Sequence, residues 1–144
     1  MPAPRRPSTR AATTTTAELR RRRDRLARIC EAYPETVCAD RYDNEHRPLE
    51  VAGKRFGYYL VDHFGDDGHS GAVLKAAPGV QEMLVEDDPD RFWVPAFVGR
   101  HGWIGIRLDL EEPDWDELEG FVRDAWLLTA PKRLRREVET DAER

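Results

Sequence analysis

The sequence predicts an α+β fold: an antiparallel sheet with an N-terminal and a C-terminal helix packed on one face and a short helix in the middle. Three observations predict it. First, two long segments with helical spacing of apolar residues stand near the two ends, each opened by a capping box, Thr15 with Glu18 and Asp114 with Glu117. Second, two short strand-like runs are joined across Ala52-Gly53-Lys54, which is a hairpin signal. Third, Trp103 to Leu110 alternates, with Ile104, Ile106, Leu108 and Leu110 on one side and Trp103, Gly105, Arg107 and Asp109 on the other. That is the period of a strand with one buried face. There is no βαβ alternation and no internal repeat.

Residues 1–14 are rich in Pro, Arg, Ser and Thr, with no apolar residue larger than Met1. Such a segment cannot bury enough surface to offset its ordering entropy, so it reads as a disordered basic arm. The first helix runs from Thr15 to about Tyr33, with Leu19, Leu26, Ile29, Cys30 and Tyr33 on one stripe, and Pro34 ends it. Thr36 to Tyr42 and Arg47 to Val51 read as strands, with a turn at Asp43 to Glu45 between them. Arg55 to Val61 completes the hairpin, Asp62 to Gly71 is a polar loop, and Ala72 to Ala76 is a further strand. Pro78 to Val85 is a short helix with Met83 and Leu84 inward, stopped by Glu86-Asp87-Asp88-Pro89. Phe92 to Val94 is extended, and Gly99 and Gly102 bracket a turn. Trp115, Leu118, Val122, Ala125, Trp126 and Thr129 form the stripe of the closing helix, which Pro131 ends. The domain is expected to span 15–134, with 135–144 a charged, fraying tail.

The chain of 144 residues has the size of one domain. No apolar run approaches a membrane span, and the basic N-terminus lacks the apolar core of a secretory signal. Cys30 and Cys38 make neither a disulfide framework nor a four-ligand zinc site, so a cytoplasmic protein with reduced thiols and no membrane partner is expected. The net charge of −5 conceals an asymmetry: residues 1–28 hold nine Arg against Glu18 and Asp24, a balance of +7, which leaves −12 for the remainder. An acidic body disfavours phosphate contact, so any nucleic-acid footprint belongs to the arm and the first helix.

Several ordered motifs resemble the YjbR family, also called MmcQ/YjbR-like. They are Phe97-Val-Gly-Arg-His-Gly-Trp-Ile-Gly-Ile-Arg-Leu, then Asp114-Trp-Asp-Glu-Leu and Ala130-Pro-Lys-Arg-Leu. Upstream, Arg28-Ile-Cys-Glu-Ala-Tyr-Pro-Glu, Gly53-Lys-Arg-Phe-Gly-Tyr-Tyr, Leu74-Lys-Ala and Asp87-Asp-Pro-Asp-Arg-Phe follow in the same order. His63-Phe-Gly-Asp-Asp-Gly is similar to a His-His-Gly-Asp-Gly loop of one branch, with Phe64 in place of the second His. The resemblance covers about residues 18–134 and leaves out the arm. It implies a curved antiparallel sheet with helices on one side, like the type III secretion chaperones, and a DNA-binding role through a double-wing arrangement.

The candidate anion- or nucleic-acid-binding residues are Arg20, Arg21, Arg22 and Arg23 of the first helix, together with Lys75, Arg100, His101, Lys132 and Arg133. The arginine run reads either as a phosphate-contacting helix or as a solvated one balancing the acidic body. Arg100 and His101 could converge with the three other cations on an anion held by turn amides, or their glycines could serve turn geometry alone. His63 and His69, with Asp62, Asp66 and Asp67, carry mixed metal-ligand types, but a solvated loop has the same composition, and no metal or other cofactor is expected. His46 reads as a turn or strand-edge residue, and Cys30 as a small core residue. Ser8 and Ser70 have no nucleophile-elbow context, and no triad, phosphate loop or dinucleotide fingerprint is present. The leading expectation is therefore a non-enzymatic, DNA-associated protein. The alternative is a protein- or small-molecule-binding module that uses an exposed sheet face with Tyr58, Tyr59 or Trp93.

Overall fold

The computed structural model describes residues 10–42, 44–62 and 68–142. Thr15 has extended backbone and its Oγ1 accepts from the Glu18 amide at 3.1 Å, which opens α1 (Thr16–Glu31). A cap of this kind stabilises a helix by about 1 kcal/mol. Leu26 and Cys30 are fully buried on its stripe, with Leu19, Ile29 and Tyr33 packed beside them. The chain turns through Pro34 into β1 (Thr36–Cys38), shorter than the sequence predicts.

β2 (Arg47–Val51) and β3 (Lys54–Val61) form the predicted hairpin. Its two-residue turn places Ala52 at φ +48° and Gly53 at φ +78°, the pair of positive values that matches the twist of a tight hairpin. The register shifts between Leu49 and Glu50: Leu49 opposes Gly57 and Glu50 opposes Arg55, which leaves Phe56 as a bulge residue. β4 (Ser70–Leu74) begins two residues earlier than expected. Ser70 belongs to the strand because its carbonyl accepts from the Leu108 amide at 2.9 Å.

α2 (Val80–Asp87) follows Gly79, whose φ of +86° sets the entry. Its inward residues are Gln81 and Val85, whereas Met83 is 61% exposed. That corrects the expectation for Met83, while Leu84 packs partly buried against the main core as expected: Pro78 lies before the helix, so the helix starts later and its stripe is shifted. After β5 (Phe92–Trp93) the chain makes a short 3₁₀ turn, Val98–His101, closed by Gly102 at φ +84°. β6 (Ile104–Arg107) then joins the sheet, whose strand order is β1-β2-β3-β4-β6-β5, antiparallel throughout. α3 (Trp115–Thr129) is capped by Asp114, whose carboxylate accepts from the Glu117 amide at 3.1 Å. Beyond Pro131 the expected fraying tail is α4 (Lys132–Ala142), docked through the buried Leu134.

The main core lies between the helices and one face of the sheet. Leu26 and Cys30 of α1, Leu118, Val122 and Trp126 of α3, and Leu134 of α4 meet Leu49, Phe56, Tyr59, Leu74, Ile104 and Ile106. Trp126 stacks on Tyr33 at 5.1 Å and donates to Thr36 Oγ1 at 2.8 Å, tying α3 to β1. The opposite face carries a second cluster: Leu60, Val73 and Trp93, with Tyr58, Val98 and Trp103 packed against it.

Two expectations fall here. β6 is buried on both sides, because Trp93 lies across Gly105, where a Cβ would come within 2.4–2.6 Å of the indole. Tyr59 and Trp93 are likewise buried: Tyr59 faces the main core under the helices, and Trp93 lies in the second cluster, where the segment from Trp93 to Trp103 folds back over part of the second face. Arg107 and Asp109, predicted on an open face, form a buried ion pair at 2.8 Å.

Candidate nucleic-acid interface

Residues 10–13, expected to be part of a disordered arm, lie against the end of β6. Arg107 Nη1 donates to the Arg10 carbonyl at 2.6 Å, and the Thr13 amide donates to the Asp109 carbonyl at 2.7 Å. The Arg10 side chain pairs with Glu111. The buried pair offers a fixed carbonyl and a fixed guanidinium, which a polar chain can use without an apolar core of its own. Residues 1–9 lie outside the described residues.

The four arginines of the predicted run have divided fates. Arg20 binds Glu45 at 2.7 Å, and this hydrogen bond raises the guanidinium pKa and holds the Glu45 carboxyl below the usual range. Arg23 also reaches Glu45, at 3.1 Å, as well as Asp24 at 3.0 Å. Arg22 points inward and donates to the Leu108 and Leu110 carbonyls at 2.8 and 2.6 Å, with Glu112 3.5 Å away. Arg21 is the most open of the four, 70% exposed against 54% for the paired Arg20, with Glu18 at the 4.0 Å limit of an ion pair. A helix exposes about a third of its circumference to each neighbour, so four consecutive residues necessarily point in different directions.

The cations that do share a face are Arg21, Arg25 and Arg28, at i, i+4 and i+7, all exposed. With Arg22 they line a groove of about 250 Å³ between α1 and the start of α3, which Glu18, Glu112 and Trp115 complete. The Arg25 guanidinium sits 4.4 Å over the Trp115 ring, and the Trp115 indole N–H donates to Glu112 at 2.5 Å. Four guanidiniums thus face two carboxylates in this groove, and Glu111, paired with Arg10, adjoins Glu112 in the chain. The spacing of Arg21, Arg25 and Arg28 was readable in the sequence. The Arg25–Trp115 stack was not, because that contact joins residues 90 positions apart.

The other predicted cations have separate surroundings. Lys75 lines a cavity with Val80, Phe121, Asp124 and Leu128. Arg133 holds Glu35, whose carboxyl this hydrogen bond keeps low, and Lys132 is exposed at the start of α4. Arg100 Nε lies 3.3 Å from His101 Nε2, both exposed on the 3₁₀ turn. The turn itself is fixed from below by the buried Gln81, whose amide donates to the Gly99 and Trp103 carbonyls at 2.7 and 2.6 Å.

Of the loop histidines, His63, Asp66 and Asp67 lie outside the described residues. His69 is buried, 5.4 Å from Trp93 in an edge contact, where the sequence reading has a solvated loop. His46 Nδ1 accepts from the Val61 amide at 3.1 Å and so closes the open end of the hairpin. No group of three or more His, Cys, Asp or Glu suited to a metal occurs among the described residues. Cys30 is buried in the main core, which pushes its thiol pKa up. Among the described residues no helix is long and apolar enough to cross a membrane.

The family model YjbR matches residues 31–128. The crystal structure of the Deinococcus radiodurans protein DR2400, with a DUF419 domain, superimposes with a TM-score of 0.60 at 20% sequence identity, covering 81% of this chain and 86% of that one. That likeness shows the fold. No curated protein matches the sequence.

Proposed function

Since the chain belongs to the YjbR family, we propose that it is a non-enzymatic, DNA-associated binding protein that contacts phosphates through α1. The observation that carries this reading is the exposed row of Arg21, Arg25 and Arg28 beside Trp115. Steps of four and three residues advance about 6 and 4.5 Å along a helix, a spacing on the scale of neighbouring phosphates in one strand. Arg10 is paired with Glu111, the residue next to Glu112 of this groove. Such contact is sequence-independent and salt-sensitive.

A binding role also suits the ionisable groups. The strongly shifted ones, Cys30, Cys38 and Tyr59, are raised chiefly by burial in or against the main core, with Cys38 a second cause for Cys30. The remaining shifts belong mostly to exposed ion pairs such as Arg20–Glu45 and Arg133–Glu35. Among the described residues these groups do not assemble a nucleophile, base and orienting partner.

The test is a salt titration of binding to a random duplex, with the full chain and an Arg21→Gln/Arg25→Gln/Arg28→Gln variant. Losing three phosphate contacts should flatten the slope of log K against log salt by about 2.7. Undiminished binding by the variant, or none by either protein near physiological salt, would sink the proposal.

A further inference from the structure

The sheet face opposite the helices holds a second feature, a pocket of about 360 Å³ whose wall includes Tyr42, Asn44, His46, Arg55, Tyr58 and Phe97. It shares no residue with the arginine groove. The bulge at Phe56 builds it. Because Phe56 has no cross-strand partner, Arg55 pairs with Glu50, and Arg55 and Tyr58 line the pocket while Phe56 joins the main core.

Among the described residues the charge beside this pocket is unbalanced. The buried Glu50 carboxylate is shared between Arg41 and Arg55, so two guanidiniums meet one carboxylate. The Arg55 contact is the weaker, with Nη2 3.5 Å from Glu50. Its Nη1 donates to the Tyr58 hydroxyl at 3.0 Å, and the guanidinium lies 5.1 Å over the Tyr58 ring. Its Nε is buried and has no acceptor among the described residues. Among the described residues Arg41, Arg55 and Glu50 sum to one positive charge, and the second N–H of Arg55 Nη1 and of Nη2 is left for an acceptor beside the aromatic surface.

The opposite wall is held in a strained shape. Phe97 has φ +63° and ψ −67°, the centre of a rare positive-φ γ-turn, closed by the Val98 amide to the Ala96 carbonyl at 2.7 Å. The residue is 72% exposed. A bulky apolar residue in that conformation costs stability at a position where glycine would be free, and such strain concentrates at ligand sites. The Gln81 bonds to Gly99 and Trp103 hold the segment in place.

We propose that this pocket binds a small planar aromatic monoanion, with its carboxylate on Arg55 and its ring among Tyr42, Tyr58 and Phe97. The volume suits a molecule of one or two rings. A single excess charge matches a monoanion and leaves a dianion half-compensated. The site is independent of the nucleic-acid reading.

The experiment is an amide-resolved NMR titration of the full chain with 2-naphthoate and, separately, with the neutral isostere 2-naphthamide. Saturable shifts are expected on residues 44–60 and 96–103, with naphthoate tighter than naphthamide by about tenfold. Arg55→Gln should abolish that preference, and Phe97→Gly should weaken both ligands while leaving the fold intact. Equal affinity for the two ligands in the native chain, shifts confined to other regions, or no saturable binding at millimolar ligand would each overturn the proposal. The two-ligand comparison needs no variant to fold.

Discussion

Asp109→Asn is the substitution that most directly tests how the chain is organised. Asp109 Oδ1 accepts from Arg107 Nε at 2.8 Å, and Oδ2 accepts from Nη2 at 3.1 Å and from the Ser70 amide at 3.3 Å. Both side chains are at most 2% exposed. Asparagine keeps the shape but removes the charge and replaces one accepting oxygen by a donor that faces a guanidinium. Breaking a buried pair by altering one partner costs about 3–5 kcal/mol, because the remaining charge stays buried. For a chain of this size that corresponds to a melting temperature lower by roughly 10 °C or more. The same change should loosen residues 10–13, since the Arg10 carbonyl is held by Arg107 and the Thr13 amide by the Asp109 backbone. Urea denaturation gives the stability, and hydrogen exchange at the Thr13 amide gives the anchoring. A double variant, Arg107→Met/Asp109→Leu, should recover much of the stability but not the Arg10 contact. A loss below about 1 kcal/mol for Asp109→Asn would show that water compensates the pair and that the reasoning from burial is wrong.

Three further outcomes follow from the geometry. Gly105→Ala drives a methyl against the Trp93 indole and should cost about 1–3 kcal/mol with a change in tryptophan emission. Gly71→Ala should cost more, because its Cβ would lie 2.0 Å from the Ile106 carbonyl oxygen of the paired strand, and the reverse order in denaturation would contradict this account. Burial raises the Cys38 thiol to about 11 from 9.0, so at pH 8 it should react with a disulfide reagent on the order of 100-fold more slowly than in urea. Cys30 should be slower still, and equal native and denatured rates would refute both assignments. Finally, the Arg20 hydrogen bond lowers the Glu45 carboxyl below 4.5, so the pair's contribution is present above that value and fades as pH falls through the lower folded pKa. Side-chain NMR should place the Glu45 midpoint below that of a free glutamate, and a midpoint at or above it would remove the pair from the account.

Local chemistry was legible wherever one residue type had one physical reason to be where it is. Thr15, Asp114, Pro34 and Pro131 marked helix ends that the structure reproduces to within a residue or two. The hairpin was legible because Ala52-Gly53 admits the two positive φ values that a tight turn requires. The extent of β4 and the covered sheet face were not. Ser70 and His69 are polar, and their burial depends on β6 and on Trp93, which lie far along the chain. Alternation between apolar and polar residues identified β6 but misassigned its second face, because Arg107 and Asp109 satisfy each other and Gly105 makes room for an indole. Periodicity sees hydrophobicity one residue at a time and cannot see a pair that neutralises itself.

The same limit governs the candidate interface. Counting arginines treats each as a free cation, yet Arg10, Arg20, Arg22 and Arg23 are engaged with carboxylates or carbonyls. An arginine already bound in this way must give up those bonds before it can neutralise a phosphate, so its net contribution to nucleic-acid affinity falls towards zero. If all seven arginines between Arg10 and Arg28 met phosphates, log K against log salt would fall with a slope of about −6.3. Contacts by Arg21, Arg25 and Arg28 alone give about −2.7, and both Arg5 and Arg6 would add at most about −1.8. A slope near the smaller value means that the folded arrangement, rather than composition, sets the interaction. It also means that association is weak and local. Acidic groups more than about 10 Å away then matter little at physiological salt, and the carboxylates that oppose such contact are the near ones, Glu18 and Glu112, which line the same groove.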